Sequence, residues 1–264
     1  MAIIPNFYKD AVVALGVDGT DSKRHWIGTG FMVGRLEEGS KDQYTIYIIT
    51  NKHVVEHFDL VFVRFNNAES VGVKDLRMQL VEKDQKLYSE HPNKDSDIVA
   101  IQIRPGVLIA NHLKLSFFKL EQHALSLSDM QKTGVEEGSL VYALGFPMNL
   151  INEKIKAPVC RLGCISRIAD AFVEPENANT FLVDAQVFPG NSGGPVLNRP
   201  EIVSIDGTSS NSSCNLVGIL SAYVPYQELL YSKQTNKVRM IQEENSGLTI
   251  VHPVDRIKEV VEMD

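Results

Sequence analysis

Two stretches of this sequence carry residues able to do chemistry. The first is NKHVVEHF, residues 51–58, which contains His53, Glu56 and His57 in the spacing His-x-x-Glu-His. On a helix, residues four apart share a face, so these histidines with a third ligand could hold a zinc ion. His53 could equally serve alone as a base, which needs a hydroxyl and a carboxylate elsewhere in the chain. The second stretch is VDAQVFPGNSGGPVL, residues 183–197, where Ser192 sits among flexible residues just after an apolar strand. A nucleophilic serine must be exposed, with backbone N–H groups converging on the carbonyl oxygen that it attacks. Gly190, two residues earlier, lets the chain turn without a Cβ clash, and Gly193 and Gly194 let it leave without covering a substrate.

A serine hydroxyl is a weak nucleophile, so it requires a base beside it and a carboxylate to orient that base. His53 follows the strand-like YTIYIITN, and Asp97 opens the strand-like DIVAIQI. Asp95, two residues earlier, competes with Asp97, but Asp97 stands directly against the strand. The zinc arrangement wants a long helix and a third ligand, whereas His53 comes straight after a strand. The serine reading is therefore preferred, and Glu56 and His57 are expected on the surface of a short turn. His25, His91, His112, His123 and His252 have no comparable context and read as structural or exposed.

These residues need elements to position them. Short segments rich in Val, Ile, Tyr and Phe recur along the chain: DAVVALGV, GTGFMVGRL, YTIYIITN, LVFVRFN, MQLVEKD, DIVAIQI, SLVYALGF, CRLGCISRI, TFLVDAQV and LVGILSAYV. Gly, Asn, Asp and Ser clusters separate them, which predicts an all-β barrel or sandwich. The tail HPVDRIKEVVEM places Val254, Ile257, Val260 and Val261 at helical spacing after Pro253, which predicts a closing helix over 253–262. Residues 109–123 are ambiguous between strand and helix. Residues 204–215 read as a polar surface hairpin, and 226–247 as a long surface loop of the kind that often carries function.

The bulk composition narrows the classes. The 264 residues are 44% hydrophobic and 22% charged, with net charge -7, so a nucleic-acid-binding role is not expected. No apolar run is long enough to span a membrane, and the amino-terminal stretch lacks the pattern of a signal peptide. The three cysteines, Cys160, Cys164 and Cys214, are an odd number and suit a reducing compartment. They read as small buried thiols, and a cytoplasmic location is expected. Cys160 and Cys164 fall in one predicted strand, about 13 Å apart, too far to bridge.

GTGFMV (28–33), TNKHVV (50–55), DIVAIQI (97–103) and GNSGGPV (190–196) resemble the signatures of trypsin/chymotrypsin-fold serine proteases. VYALGFPMNL, RLGCISRI, VDAQVFPGNSGGPVLN, LVGILSAYV and GLTIVHPVDRIKEVVE are similar, in order, to blocks of the HtrA group. The resemblance implies one protease domain over residues 1–264. Two packed six-stranded antiparallel barrels, about 10–115 and 125–250, would precede the helix. It implies His53 as base and then acid, Asp97 as its orienting carboxylate, Ser192 as nucleophile, and the Gly190 and Ser192 N–H groups as the oxyanion hole. No cofactor or metal is implied.

The resemblance also locates a specificity pocket: Gln186 and Val187 near its base, Pro189 at its entrance, and Ser221, Ala222 and Tyr223 as a wall pairing with substrate as an added strand. No acid sits at that base, and Leu220 stands where glutamate-specific relatives place a histidine. Cleavage after small or medium uncharged residues is therefore expected. Asn191 replaces the aspartate that trypsin-like zymogens use to capture a new amino terminus, so activation by amino-terminal cleavage is not expected. HtrA relatives usually carry a PDZ domain, and none is expected here. The expected function is a serine endopeptidase acting on proteins or peptides, gated by loop ordering or an activating protein partner, with segment 226–247 as candidate gate. Its alternatives are a peptide-binding or chaperone module on a protease fold and an ester hydrolase. The oligomeric state is left open.

Overall fold

The run Ile46–Ile49 is apolar at every position, which a strand with one solvated face would not be. The computed structural model, which describes residues 4–19 and 23–263, supplies the reason. Ile46 and Ile48 point into a core within the first sheet, while Tyr47 and Ile49 point the opposite way, into a layer between the two halves of the molecule. Val12–Leu15 alternates in the same manner. Each such strand is buried on both faces, so its two-residue periodicity is hidden beneath continuous hydrophobicity.

Helix α1 (Asn6–Ala11) leads into six main strands: β1 (Val12–Asp18), β2 (Arg24–Leu36), β3 (Tyr44–Thr50), β4 (Leu60–Asn66), β5 (Val73–Gln79) and β6 (Val99–Ile103). The single-turn helix α2 (Lys52–Val55) follows β3, and α3 (Pro105–Ala110) follows β6. The sheet order is β5-β4-β1-β2-β3-β6. A short strand, Ser89–Glu90, extends it beyond β6, and Phe118–Lys119 pairs parallel to β2. This half is therefore an eight-stranded sheet, not the closed six-stranded barrel expected from the resemblance, and it is not purely antiparallel.

The second half is a closed six-stranded barrel. It comprises β7 (Leu140–Gly145), β8 (Val159–Arg167), β9 (Phe181–Asp184), β10 (Pro195–Asn198), β11 (Leu216–Tyr231) and β12 (Val238–Pro253). Its interior holds Val141, Ile165, Val183, Val196, Val217 and Val251. Helix α4 (Leu127–Thr133) precedes β7 and was not anticipated, although Ser126 caps it and Gly134 ends it in a left-handed turn. Helix α5 (Val254–Glu262) closes the chain as predicted. Its Val254, Ile257, Val260 and Val261 enter the inter-sheet layer, a gross stabilisation of about 1.5–3 kcal/mol each.

Residues 226–247 are not a loop. They form the outer part of β11 and β12, which run 16 residues each and pair out to Tyr231 and Val238. Residues 204–215 hold no strand beyond an isolated bridge from Glu201 to Asn211. The thiols also differ from expectation. Cys160 and Cys164 share β8, but Cys160 is exposed and Cys164 and Cys214 are only partly buried. Among the described residues no helix is long and apolar enough to cross a membrane.

Candidate active site

His53 stands on α2, whose four residues begin as soon as β3 ends. A single turn is as much helix as this segment makes, so His53 and His57 do not present one continuous helical face. His57 is 79% exposed and lies 3.7 Å from Glu56, on the surface as expected. His53 instead faces Asp97. Its Nδ1 lies 2.6 Å from Asp97 Oδ2, and its backbone N–H donates to Asp97 Oδ1 at 3.1 Å. Asp95 is exposed, and its backbone N–H is engaged with Asn93 of its own loop.

The carboxylate of Asp97 is held from several sides. Ser221 Oγ donates to Oδ2 at 3.0 Å, and Asn51 Nδ2 donates to the Asp97 carbonyl at 2.7 Å. Burial alone would raise the carboxyl pKa. The hydrogen bond and charge of His53, with the Ser221 hydroxyl, outweigh that and bring it below the usual value. The same hydrogen bond, donated to Asp97, raises the pKa of His53, against partial burial, which lowers it. Nδ1 therefore carries a proton shared with a carboxylate, leaving Nε2 as the basic atom.

Ser192 shares a cleft of about 450 Å³ with His53. Its hydroxyl donates to the Ser221 carbonyl at 3.0 Å. Two glycines of the turn that carries it combine a positive φ with no room for a Cβ. Gly190 has φ +97°, and a Cβ there would lie 2.4 Å from the Phe146 carbonyl oxygen. Gly193 has φ +84°, and a Cβ would lie 2.0 Å from Thr29 O.

The backbone of this turn is anchored on its far side. Thr29 Oγ1 donates to Gly190 O at 2.6 Å and accepts from the Phe146 N–H at 3.0 Å, while the Thr29 N–H donates to Ser192 O at 2.9 Å. Met148, in left-handed conformation at φ 52°, donates its N–H to Pro189 O at 2.8 Å. A trans peptide sets its C=O and N–H on opposite sides, so this bond turns the Gly190 N–H away from Met148. Neither the Gly190 nor the Ser192 N–H donates to a protein acceptor among the described residues. Both remain available to bind an anionic oxygen.

The cleft wall is mainly apolar: Val187, Phe188, Pro189, Leu220, Ala222, Tyr223 and Pro225 line it, with Ser221. Gln186 is exposed and does not line it. Glu243 of β12 does, accepting from Gln227 Nε2 at 3.2 Å and lying 3.5 Å from the Tyr223 hydroxyl. Sequence reasoning missed Glu243 because its segment read as a loop. It also passed over Thr29 and Met148, although both fall in blocks that it had singled out. Among the described residues no group of three or more His, Cys, Asp or Glu converges as a metal would require.

Residues 28–201, about two thirds of the chain, match the trypsin-like peptidase domain family. The chain belongs to that family. It is also similar to a protein named probable periplasmic serine endoprotease DegP-like, from Halomonas elongata. The two are 26% identical over 205 residues, covering 77% of this chain and 34% of that protein. The chain thus spans about a third of the length of the relative it matches. The trypsin-like domain and the matched relative support the HtrA-like protease character read from the sequence blocks.

Proposed function

We propose that this trypsin-like domain is a serine endopeptidase that hydrolyses peptide bonds of protein substrates. The observation that carries the proposal is the 2.6 Å His53–Asp97 pair in a cleft shared with Ser192. In this reading His53 Nε2 takes the Ser192 proton as Oγ attacks the carbonyl, and later gives it to the leaving amine. Asp97 keeps the ring in the correct tautomer and stabilises the imidazolium. The Gly190 and Ser192 N–H groups bind the oxyanion. Water then repeats the sequence on the acyl-enzyme.

The Ser192 hydroxyl rests against Ser221 O, the carbonyl where a substrate strand pairing along Ser221–Tyr223 would place its own N–H. Substrate arrival then displaces the hydroxyl and frees it to turn to His53. The apolar lining supports cleavage after small or medium uncharged residues, with Glu243 at the wall favouring a cation elsewhere in the bound segment. The β11–β12 ribbon rises from the same wall, so an activating protein partner that grips it could gate the cleft. Three unpaired thiols, one exposed, support a reducing compartment, whereas the relative's name says periplasmic. Fractionation of the producing cell separates those two.

The test is fluorophosphonate labelling and peptide-library cleavage by wild type and Ser192→Ala, with and without a zinc chelator. The expected result is labelling and turnover that require Ser192 and ignore the chelator. Peptide capture without turnover, unchanged in Ser192→Ala, would favour the peptide-binding alternative. Cleavage lost to chelator but kept in Ser192→Ala would overturn the reading.

A further inference from the structure

We propose that His252 is a positioning residue, its neutral imidazole holding the Asp97 backbone so that the carboxylate stays aligned on His53. The inference rests on the peptidase reading above. His252 lies on β12 in the second barrel, is 2% exposed and does not line the cleft. Its Nε2 receives the Asp97 N–H at 3.2 Å, and its Nδ1 lies 2.8 Å from the carbonyl oxygen of Asn179.

These partners assign the tautomer without ambiguity. A carbonyl can only accept, so Nδ1 carries the proton; a backbone N–H can only donate, so Nε2 is bare. A cationic ring would point an N–H at another N–H. Burial lowers the pKa of His252, keeping the required form, against the Asn179 carbonyl and the Asp97 charge, which favour the cation. The charged or titratable groups around it are Asp97, His91 from the same loop as Asp97, and Arg256 of α5 with its partner Glu259.

Asn179 ties the arrangement to the whole loop before Asp97. While its backbone carbonyl faces His252, its Oδ1 accepts from Asn93 Nδ2 at 3.0 Å and Ser96 Oγ at 3.2 Å. His91, at the start of that loop, meets Glu259 at 2.7 Å. Asp97 ends the loop that enters β6 of the first sheet, but its peptide N–H is gripped by the second barrel while its carbonyl is gripped by Asn51, two residues before His53. Removing the His252 acceptor leaves a buried N–H without a partner, and the segment must shift to satisfy it. A shift of about 1 Å in a group orienting the base costs up to about 100-fold in rate.

The test compares His252→Leu, which removes the acceptor, with His252→Gln, which offers a non-titrating oxygen at similar reach. In His252→Leu, kcat should fall about 10- to 100-fold with KM within about threefold. His252→Gln should recover kcat to within about threefold. The acid limb of the wild-type kcat profile should steepen from one proton to two at low pH, and in His252→Gln it should stay at one. Hydrogen exchange of the Asp97 amide, which needs no turnover, should accelerate in His252→Leu and stay slow in His252→Gln. A folded His252→Leu with wild-type kcat and exchange, or a His252→Gln as impaired as His252→Leu, overturns the proposal. A wild type that turns over no peptide but shows the exchange pattern would sink the peptidase reading and leave the positioning role standing.

Discussion

The β11–β12 hairpin is two regions in one pair of strands. Its inner part, Leu216–Ser221 with Thr249–Pro253, is buried in the barrel and supports the site. Leu220 O takes the Gly193 N–H at 3.0 Å, Ser221 reaches Asp97, and His252 reaches the same residue from behind. Its outer part keeps the same ladder but leaves the protein body. Leu229 and Ile241 pair across one face and Leu230 and Met240 across the other, all 45–60% exposed. Antiparallel pairing of the same two strands, with register shifts at Leu220/Ala222 and Tyr223/Pro225, thus gives a supported scaffold where the strands are buried and an unsupported ribbon where they are not. The comparison teaches that chemistry here depends on burial around the ladder rather than on the ladder itself.

The largest effect that would sharpen this contrast is at the inner end. Ser192→Ala should lower kcat about 10⁵- to 10⁶-fold in a peptide-cleavage assay, since a triad without its nucleophile retains only binding and oxyanion stabilisation. Asp97→Asn should cost about 10⁴-fold by leaving His53 in the wrong tautomer. The acid limb of wild-type kcat/KM should lie above pH 6.5, because Asp97 raises His53 and the base works only when neutral. Activity therefore rises with pH through that limb, and Asp97→Asn should move it downward. A limb unmoved by that substitution would break the coupling.

Gly193→Ala comes next. It forces a side chain into a left-handed turn against Thr29 O, and should cost about 3 kcal/mol or more in urea unfolding as well as activity. At the outer end, replacing residues 228–242 by Asn-Gly closes the ribbon after the Gln227–Glu243 pair with a two-residue turn. Hydrolysis of short peptides should stay within about threefold, on the reasoning that the inner ladder is supported by the barrel. A loss comparable to Asp97→Asn would show that the ribbon organises the site as the inner ladder does. The smallest effect is expected for Leu230→Thr with Met240→Thr, within about 0.5 kcal/mol of wild-type stability, because both side chains are about half exposed.

Much of this was legible in advance for reasons of local chemistry. GNSGGP can be read because only glycine tolerates the positive φ and close carbonyls around Ser192. TNKHVV can be read because it resembles the histidine signature of trypsin-fold proteases. The ten strand-like segments reflect period and β-branching, and α5 its spacing of Val254, Ile257, Val260 and Val261. The outer ribbon was misread as a loop because Gln, Glu, Lys and Asn dilute the pattern where both faces meet water. Helix α4 was passed over although Ser126 and Gly134 announce its ends.

The sequence by itself therefore determined the all-β class, the closing helix, and the residues His53, Asp97 and Ser192 as candidates, since each depends on near neighbours along the chain. Only the tertiary structure decided that Asp97 rather than Asp95 meets His53, that Glu243 enters the cleft wall, and that Met148 holds the Pro189 carbonyl and Thr29 the Gly190 carbonyl of the serine turn. The hydrogen bond from the Asp97 N–H to His252 belongs with these, as its partners lie 155 residues apart. A buried histidine carries no local signature of its task; its function is set by which donor and which acceptor the fold brings to its two nitrogens.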